Sequence, residues 1–360
     1  MTFRRKRVCL LLAVWLAAAC TSPAPPTLPG WRLDPALSPQ ASGTTANFIA
    51  VHALDQNTVW ASGGGGTWAR TTDGGATWQS GRVSGADSLQ FRDVHSVSPE
   101  TAYLLSIGSG DASRIYKTTD GGRNWALQFR NTEPQAFFDC FDFWDATHGI
   151  AFSDSYDGTF HLIATEDGET WTRIPRERLP AANAGEGGFA SSGTCLVTQG
   201  TSTAYVGTGA SAGGARILRT TDRGRTWSAI QTPLVKGQSA GITSLSFRSA
   251  RDGMAVGGDI SAADGFTDNV AVTHDGGLTW TMAARTPFGG AAYGSSAVPG
   301  APGAAWVAVG PKGVAFTLND AATWTALDTL NHWGVAFASP DAGWAVGPRG
   351  RITRLRLFSR

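Results

Sequence analysis

The sequence predicts an all-β fold: a seven-bladed β-propeller whose ring is closed by an N-terminal strand seated in the last blade. Three observations lead there. An eight-residue phrase recurs, first as Thr71-Thr72-Asp73-Gly74-Gly75-Ala76-Thr77-Trp78 and again ending at Trp125, Trp227 and Trp280, with two worn copies ending at Trp171 and Trp324. A period of roughly 45–55 residues means stacked units of one supersecondary type. The composition, with 46 Gly, 14 Trp and only 16% charged residues, favours many short strands joined by tight turns.

The chain of 360 residues divides into three parts. In residues 1–19, Arg4, Arg5, Lys6 and Arg7 precede an apolar run from Val8 to Ala19. That is the pattern of an export signal, too short to span a bilayer. The run ends in Leu16-Ala17-Ala18-Ala19-Cys20, which resembles a bacterial lipobox and implies that Cys20 is lipidated and becomes the new N-terminus. Residues 20–30 read as a Ser/Thr/Pro tether, and 31–360 as a single propeller. Loss of residues 1–19 moves the formal charge from +1 to −3, and no nucleic-acid footprint is visible. The expected location is the cell envelope, lipid-anchored and facing the periplasm or the exterior. Thr21 and Ser22 after Cys20 resemble the outer-membrane default.

Each unit reads as four strands. In the second unit they are Phe91 to Val97, Ala102 to Ile107, Ser113 to Thr118 and Trp125 to Phe129. Glycine in the repeated phrase permits the positive φ of a tight turn between strands three and four. The Asp and Thr side chains can bond the turn backbone, while the Trp covers the blade edge. After Trp324 the chain supplies three further strands and stops one short; Trp31, 47 residues before Trp78, opens the missing one. Closure of this kind removes free sheet edges. Ten residues before Trp60, Tyr103, Ile150, Tyr205, Met254, Trp306 and Trp344 stand Ala50, Asp93, Cys140, Cys195, Ser244, Ser296 and Gly334. Six of these seven are small, as crowding at a hub demands. Cys140 and Cys195 thus occupy matching places in adjacent blades. Equivalent positions aim the two side chains alike, which argues against a disulfide; closeness at the axis argues for one.

The repeated phrase is the Asp-box, or BNR repeat, on Asp73, Asp120, Asp222 and Asp275 with Trp78, Trp125, Trp171, Trp227, Trp280 and Trp324. With second strands such as Gly253-Met254-Ala255-Val256-Gly257 and Gly343-Trp344-Ala345-Val346-Gly347, the chain resembles the photosystem II stability/assembly factor-like proteins. That resemblance implies a seven-bladed scaffold that binds a protein during its assembly. Its cluster of arginines has no matching motif here. Sialidases carry Arg-Ile-Pro before their first box; Arg173-Ile174-Pro175 follows the third box here and reads as chance. Fold alone does not carry an activity across.

Long irregular loops on a rigid scaffold are where binding usually resides, so the expected recognition face is the one opposite the Asp-boxes. Candidate binding residues there are Arg92, Asp139, Asp154, Asp157, Glu186, Asp259 and Asp264, with Asp111, Asp268, Arg176 and Arg178 nearby. Asp139, Asp154 and Glu186 could form an acidic mouth, the catalytic candidates of a glycoside hydrolase needing two carboxylates about 5–9.5 Å apart. One acid per box is too few for calcium, and His52 and His95, at matching inner-strand positions, read as core or channel residues rather than a metal pair. No cofactor is implied. The leading expectation is a non-catalytic, lipid-anchored scaffold for a protein or glycan partner; the alternative is a sialidase- or xyloglucanase-like hydrolase.

Overall fold

The structure, a computed structural model, describes residues 30–360; the export segment, Cys20 and all but the last residue of the tether lie outside the described residues. Among the described residues the chain forms seven four-stranded antiparallel sheets. Blades one to six are consecutive, starting at Phe48, Phe91, Phe138, Leu196, Ala240 and Gly294. Blade seven takes Gly334–Ser339, Ala342–Gly347 and Arg351–Ser359 from the C-terminus and Arg32–Ala41 from the N-terminus. Leu37 pairs with Leu355 and Gln40 with Ile352, so the expected closure is present. Trp31 precedes that strand, its ring 4.8 Å from the guanidinium carbon of Arg360.

The repeated turn is a self-contained hydrogen-bonded unit. In its first copy Thr71 Oγ1 donates to Asp73 (2.7 Å) and accepts from the Gly75 amide (2.9 Å), while Asp73 accepts from the Thr77 amide (2.9 Å) and hydroxyl (2.6 Å). Asp120, Asp222 and Asp275 repeat the pattern with Asn124, Thr226 and Thr279. The worn copies preserve it with Asp167 and Asn319 in the acid's place. Glycine suits the centre: Gly74 and Gly75 have φ of 70° and 84°, left-handed values that cost other residues energy, a cost that Arg223, Asp320 and Ala321 bear at the same places in other copies. The indole N–H groups divide. Trp227 and Trp280 donate to carbonyls of their own turns and Trp324 to Ala284, whereas Trp78 donates to the Gln40 side chain. Those of Trp125 and Trp171 are buried without a partner.

Neighbouring blades are latched by a device that the sequence pattern did not suggest. Opposite the buried aromatic of a second strand, the third strand places a cation: Trp60 with Arg70, Tyr103 with Lys117, Tyr205 with Arg219 and Trp344 with Arg354. Each cation lies 5.3–5.9 Å from its ring centre, within range of a cation–π attraction. Each then donates to a glycine carbonyl in the turn of the next blade, at Gly121, Gly168, Gly276 and Gly74. Tyr103 and Tyr205 hydroxyls donate to Gly168 and Gly276 as well, both at 2.9 Å. The apolar core fills the wedges between sheets; Met254 and Val256 of blade five, for example, pack with Trp306 and Ala308 of blade six.

At the hub the expected register holds for six blades: Ala50 faces Ser62, Asp93 faces Leu105, Cys140 faces Phe152, Ser244 faces Val256, Gly334 faces Val346, and Cys195 accepts from the Gly207 amide. Blade six corrects the count by one. Ser295, not Ser296, faces Ala308, because the turn through Pro299 and Pro302 holds one residue more. Cys140 and Cys195 are disulfide-bonded, with Cα atoms 6.0 Å apart. Their side chains meet because Cys195 precedes the blade-four strand Leu196–Gln199, on chain arriving across the axis, and so is not bound by the pleat that aims Cys140.

Hydrogen bonds hold the carboxyls of Asp73, Asp120, Asp167 and Asp275 down at about 2, chiefly those from Thr77, Asn124, Thr170 and Thr279. A carboxylate with a depressed folded pKa stabilises fully above its unfolded value and loses that contribution as pH falls through the folded one. Thermal melts followed by tryptophan fluorescence should therefore fall between about pH 4 and 2. Asp275→Asn, which copies the natural Asn319 turn, should reduce that acid loss.

Candidate functional site

The link from blade three to blade four runs across the hub. After Thr172–Arg173 it makes a short 3-10 turn at Arg176–Arg178. It then docks through Glu186, which is fully buried. Glu186 accepts from Thr208 Oγ1 (2.6 Å), Arg216 Nε (2.8 Å) and the Asn183 amide (2.8 Å), and pairs with Arg216 through a second guanidinium nitrogen. It is thus an anchor of the link and not part of an open acidic mouth. Beyond it the chain touches blade after blade. The Ala190 carbonyl accepts from Arg92, Ser192 Oγ donates to the Tyr293 carbonyl, and Thr194 Oγ1 bonds Ser244 Oγ. Gly193 lies so close to blades one and two that a Cβ there would stand 2.4 Å from an Asp93 oxygen and 3.3 Å from Ala50 Cβ. Residues 189–194 therefore plug the axis, and the disulfide fixes the plug where it leaves.

Beneath this link three of the expected residues converge. Asp139 is buried with Oδ2 unpartnered, and its carboxyl lies in hydrogen-bonding reach of Asp154. Burial, then the neighbouring Asp154, pushes Asp139 well above the usual carboxylate range; burial raises Asp154 too, against a 2.8 Å bond from the Gly188 amide. Two carboxyls in contact share one proton because both cannot ionise cheaply. Arg92 favours the remaining charge and lies flat on Trp333, 5.3 Å from the ring centre. Arg92 and Trp333 line a cavity of about 400 Å³ on the link face. The two acids are covered by the link: a Cβ on Gly187 would stand 2.0 Å from Asp154 Oδ1 and one on Gly188 3.2 Å from Asp139 Cγ.

On the opposite, repeated-turn face an axial cavity of about 330 Å³ opens, with Ser192, Gly193 and Thr194 of the plug as its floor. His52 and His95 line it, their rings tilted by 32° with centres 4.2 Å apart. His95 Nδ1 meets Asp142 at 2.7 Å, and Asp142 also accepts from the Thr198 amide at 2.7 Å. His52 Nδ1 accepts from the Ser96 amide (3.2 Å) and bonds the Ser96 hydroxyl (2.8 Å). Among the described residues no group of three or more His, Cys, Asp or Glu side chains is arranged to hold a metal ion.

A groove of about 490 Å³ lies at the outer edge between blades three and four. Two local features open it. The third copy of the turn, Thr165 to Trp171, is one residue shorter than the others, and the strand it feeds is only Thr172–Arg173. Arg173, Arg178, Arg223 and Arg225 line the groove, with His148 and Glu166. Arg223 is tied to Asp145 at 3.3 Å and Arg173 to His161. Arg178 and Arg225 are exposed and, among the described residues, belong to no ion pair.

This architecture has counterparts among solved structures. The chain is similar to YCF48 bound to D1 peptide, with 16% identity, a TM-score of 0.60 and coverage of 94% of this chain and 99% of that one. It is similar to YCF48 from Cyanidioschyzon merolae at 14% identity, TM-score 0.63, covering 91% and 99%. The WD40 β-propeller domain of Doa1 follows at 14% identity, TM-score 0.58, covering 90% and 97%. No family model and no curated protein matches. At these identities the likeness is one of fold.

The remaining candidates do not join a common site. Asp157 sits exposed at a hairpin tip with φ 51°. Asp259 caps its own turn by accepting from Ser261, and Asp264 pairs at the surface with Lys312 at 2.8 Å. Asp142, Arg223 and Arg225 were missing from the candidates, and Arg178 was noted on the link but not joined to a groove. The available signal for the groove was Arg223 at a place where three other copies have glycine, two residues before Arg225.

Because burial raises the folded pKa of Asp139, the stabilising contribution of its neutral form is complete below the unfolded carboxylate value and is lost as pH rises through the folded one. Asp139→Asn keeps a donor toward Asp154 without a charge to lose. Chemical denaturation should show this variant more stable than wild type at about pH 8, by roughly 1 kcal/mol or more, with the gain gone by about pH 4. Asp139→Ala should destabilise at both.

Proposed function

We propose that this chain is a non-catalytic binding propeller, similar in role to an assembly or stability factor, that holds an extended acidic segment of a partner protein in the groove between blades three and four. The carrying observation is the pair of unpaired guanidiniums, Arg178 and Arg225, on a cavity already lined by Arg173 and Arg223. Arginine forks match carboxylates bidentately and lose less hydration than lysine. A rigid seven-bladed frame holds them apart at a fixed spacing. That YCF48 has been captured with a D1 peptide supports a peptide as the ligand class. The glycosidase alternative draws no support from Asp139 and Asp154, which touch under the link rather than face each other across an open cleft.

Export and lipid anchorage at Cys20 complete the proposal. They rest on the basic start and the Leu16-Ala17-Ala18-Ala19-Cys20 run, with the disulfide consistent with an oxidising compartment. The anchor would hold the propeller at a membrane surface, where nascent or damaged envelope proteins expose such segments.

Fluorescence anisotropy with a labelled Glu/Asp-rich peptide tests the groove. Wild type should bind and lose affinity as salt rises. Arg178→Ser with Arg225→Ser should weaken binding by about tenfold or more, at roughly 1.4 kcal/mol per decade, with an unchanged melting temperature. Equal binding of a Lys-rich control, or no loss in the double variant, refutes the reading. Cell fractionation tests the anchor: wild type should sediment with membranes and Cys20→Ser should not.

A further inference from the structure

We propose that the axial cavity on the repeated-turn face is a binding site for a neutral hydroxylated ring of monosaccharide size, held between the His52 and His95 imidazoles and a circle of hydroxyl groups. The site is distinct from the arginine groove.

Each imidazole has one ring nitrogen committed to the protein and one left over. Because the Ser96 amide donates to His52 Nδ1, the proton of that ring sits on Nε2, which is a donor. Burial, then the neighbouring His95, pushes His52 down to about 3, so the ring stays neutral. In His95 the Nδ1 proton goes to Asp142, which leaves Nε2 as the ring's remaining hydrogen-bonding atom. Neither Nε2 has a hydrogen-bond partner among the described residues, and neither is sealed from the cavity. Two free ring nitrogens on imidazoles with centres 4.2 Å apart match two adjacent hydroxyls of a polyol, each of which can donate or accept.

The charges exclude ionic ligands. No Lys or Arg lines the cavity, so an anion would find no counter-charge. Asp142 is satisfied by His95 and Thr198. Both Asp93 oxygens are taken by the amides of Val94 (2.7 Å) and Phe141 (2.8 Å), so a cation would find no free carboxylate. What remains is neutral and spread around the axis: Thr194, Thr198, Ser246 and Ser296, each anchored by at least one protein bond and each with capacity for another. Phe247, Leu245 and Val335 add apolar walls suited to the C–H face of a sugar ring. A planar amide would satisfy the two imidazoles but not hydroxyls on several sides at once.

The test is histidine side-chain NMR on the 15N-labelled exported chain, titrated separately with glucose, galactose, N-acetylglucosamine and, as a contrast, acetamide. Saturable shifts at His52 and His95 with at least one sugar are expected. His95→Phe should weaken that response about tenfold or more, while His148→Gln and the Arg178/Arg225 double variant leave it unchanged. Ser246→Leu, which fills the cavity from blade five, supplies an independent block should His95→Phe fail to fold. No saturable response to any sugar, a response to acetamide alone, or one that survives a folded blocking variant overturns the proposal.

Discussion

The donation from a third-strand cation to a glycine carbonyl in the next blade's turn is the interaction around which the ring is organised. It adds to the packed wedges and the few backbone bridges between sheets, such as Gly64 with Gln90, since each sheet satisfies most of its ladder internally. The turn must hold its carbonyl still, which explains why Thr and Asp bond the turn backbone so completely before any neighbour is involved. The cation must reach without collapsing, which the aromatic beneath it prevents. Blades one, two, four and seven carry the full set of aromatic, cation and neighbouring carbonyl. In blades three, five and six the corresponding third-strand residues are Ala164, Val272 and Thr317, and other bonds join the next blade, such as those of Thr198 to Asp142, Thr243 to Ala292 and Phe337 to Ser296. The outer groove opens beside blade three, one of the blades that lacks the latch.

The hub obeys a second constraint, space. Seven inner strands leave room at the axis for small side chains, and the protein uses that room for a segment of its own chain. The plug divides the axis into two unlike compartments. On one side the buried carboxyl pair and Arg92 sit under the link; on the other the imidazoles look into an open cavity. Gly193 permits this by giving way to Asp93, the single large residue among the expected hub positions.

How much of this was readable from the chain follows from which contacts repeat. The Trp spacing marks every blade because the turn-to-strand step is local and regular, and Trp31 betrays the split seventh blade through the same 47-residue interval. Asp154 and Asp139 were legible as candidates from their loop and strand positions, but not as partners, because their contact depends on where Gly187 and Gly188 lie. Glu186 misled because nothing in its neighbourhood announces Arg216, 30 residues on and in another blade. The one-residue error at Ser296 arose where two prolines lengthen a turn. The axial cavity was invisible for a different reason: His52 and His95 are ordinary residues until seven strand ends are brought around one point.

The split blade has a consequence for how the molecule comes into being. The strand that completes the last sheet is made first, and the strand it needs is made last. Until Arg351–Ser359 leaves the ribosome, Arg32–Ala41 has no place to go, and six finished sheets form an arc with two raw ends. Closure thus needs both segments of the split sheet at once, and a chain cut short before Arg351–Ser359 carries an unmated segment.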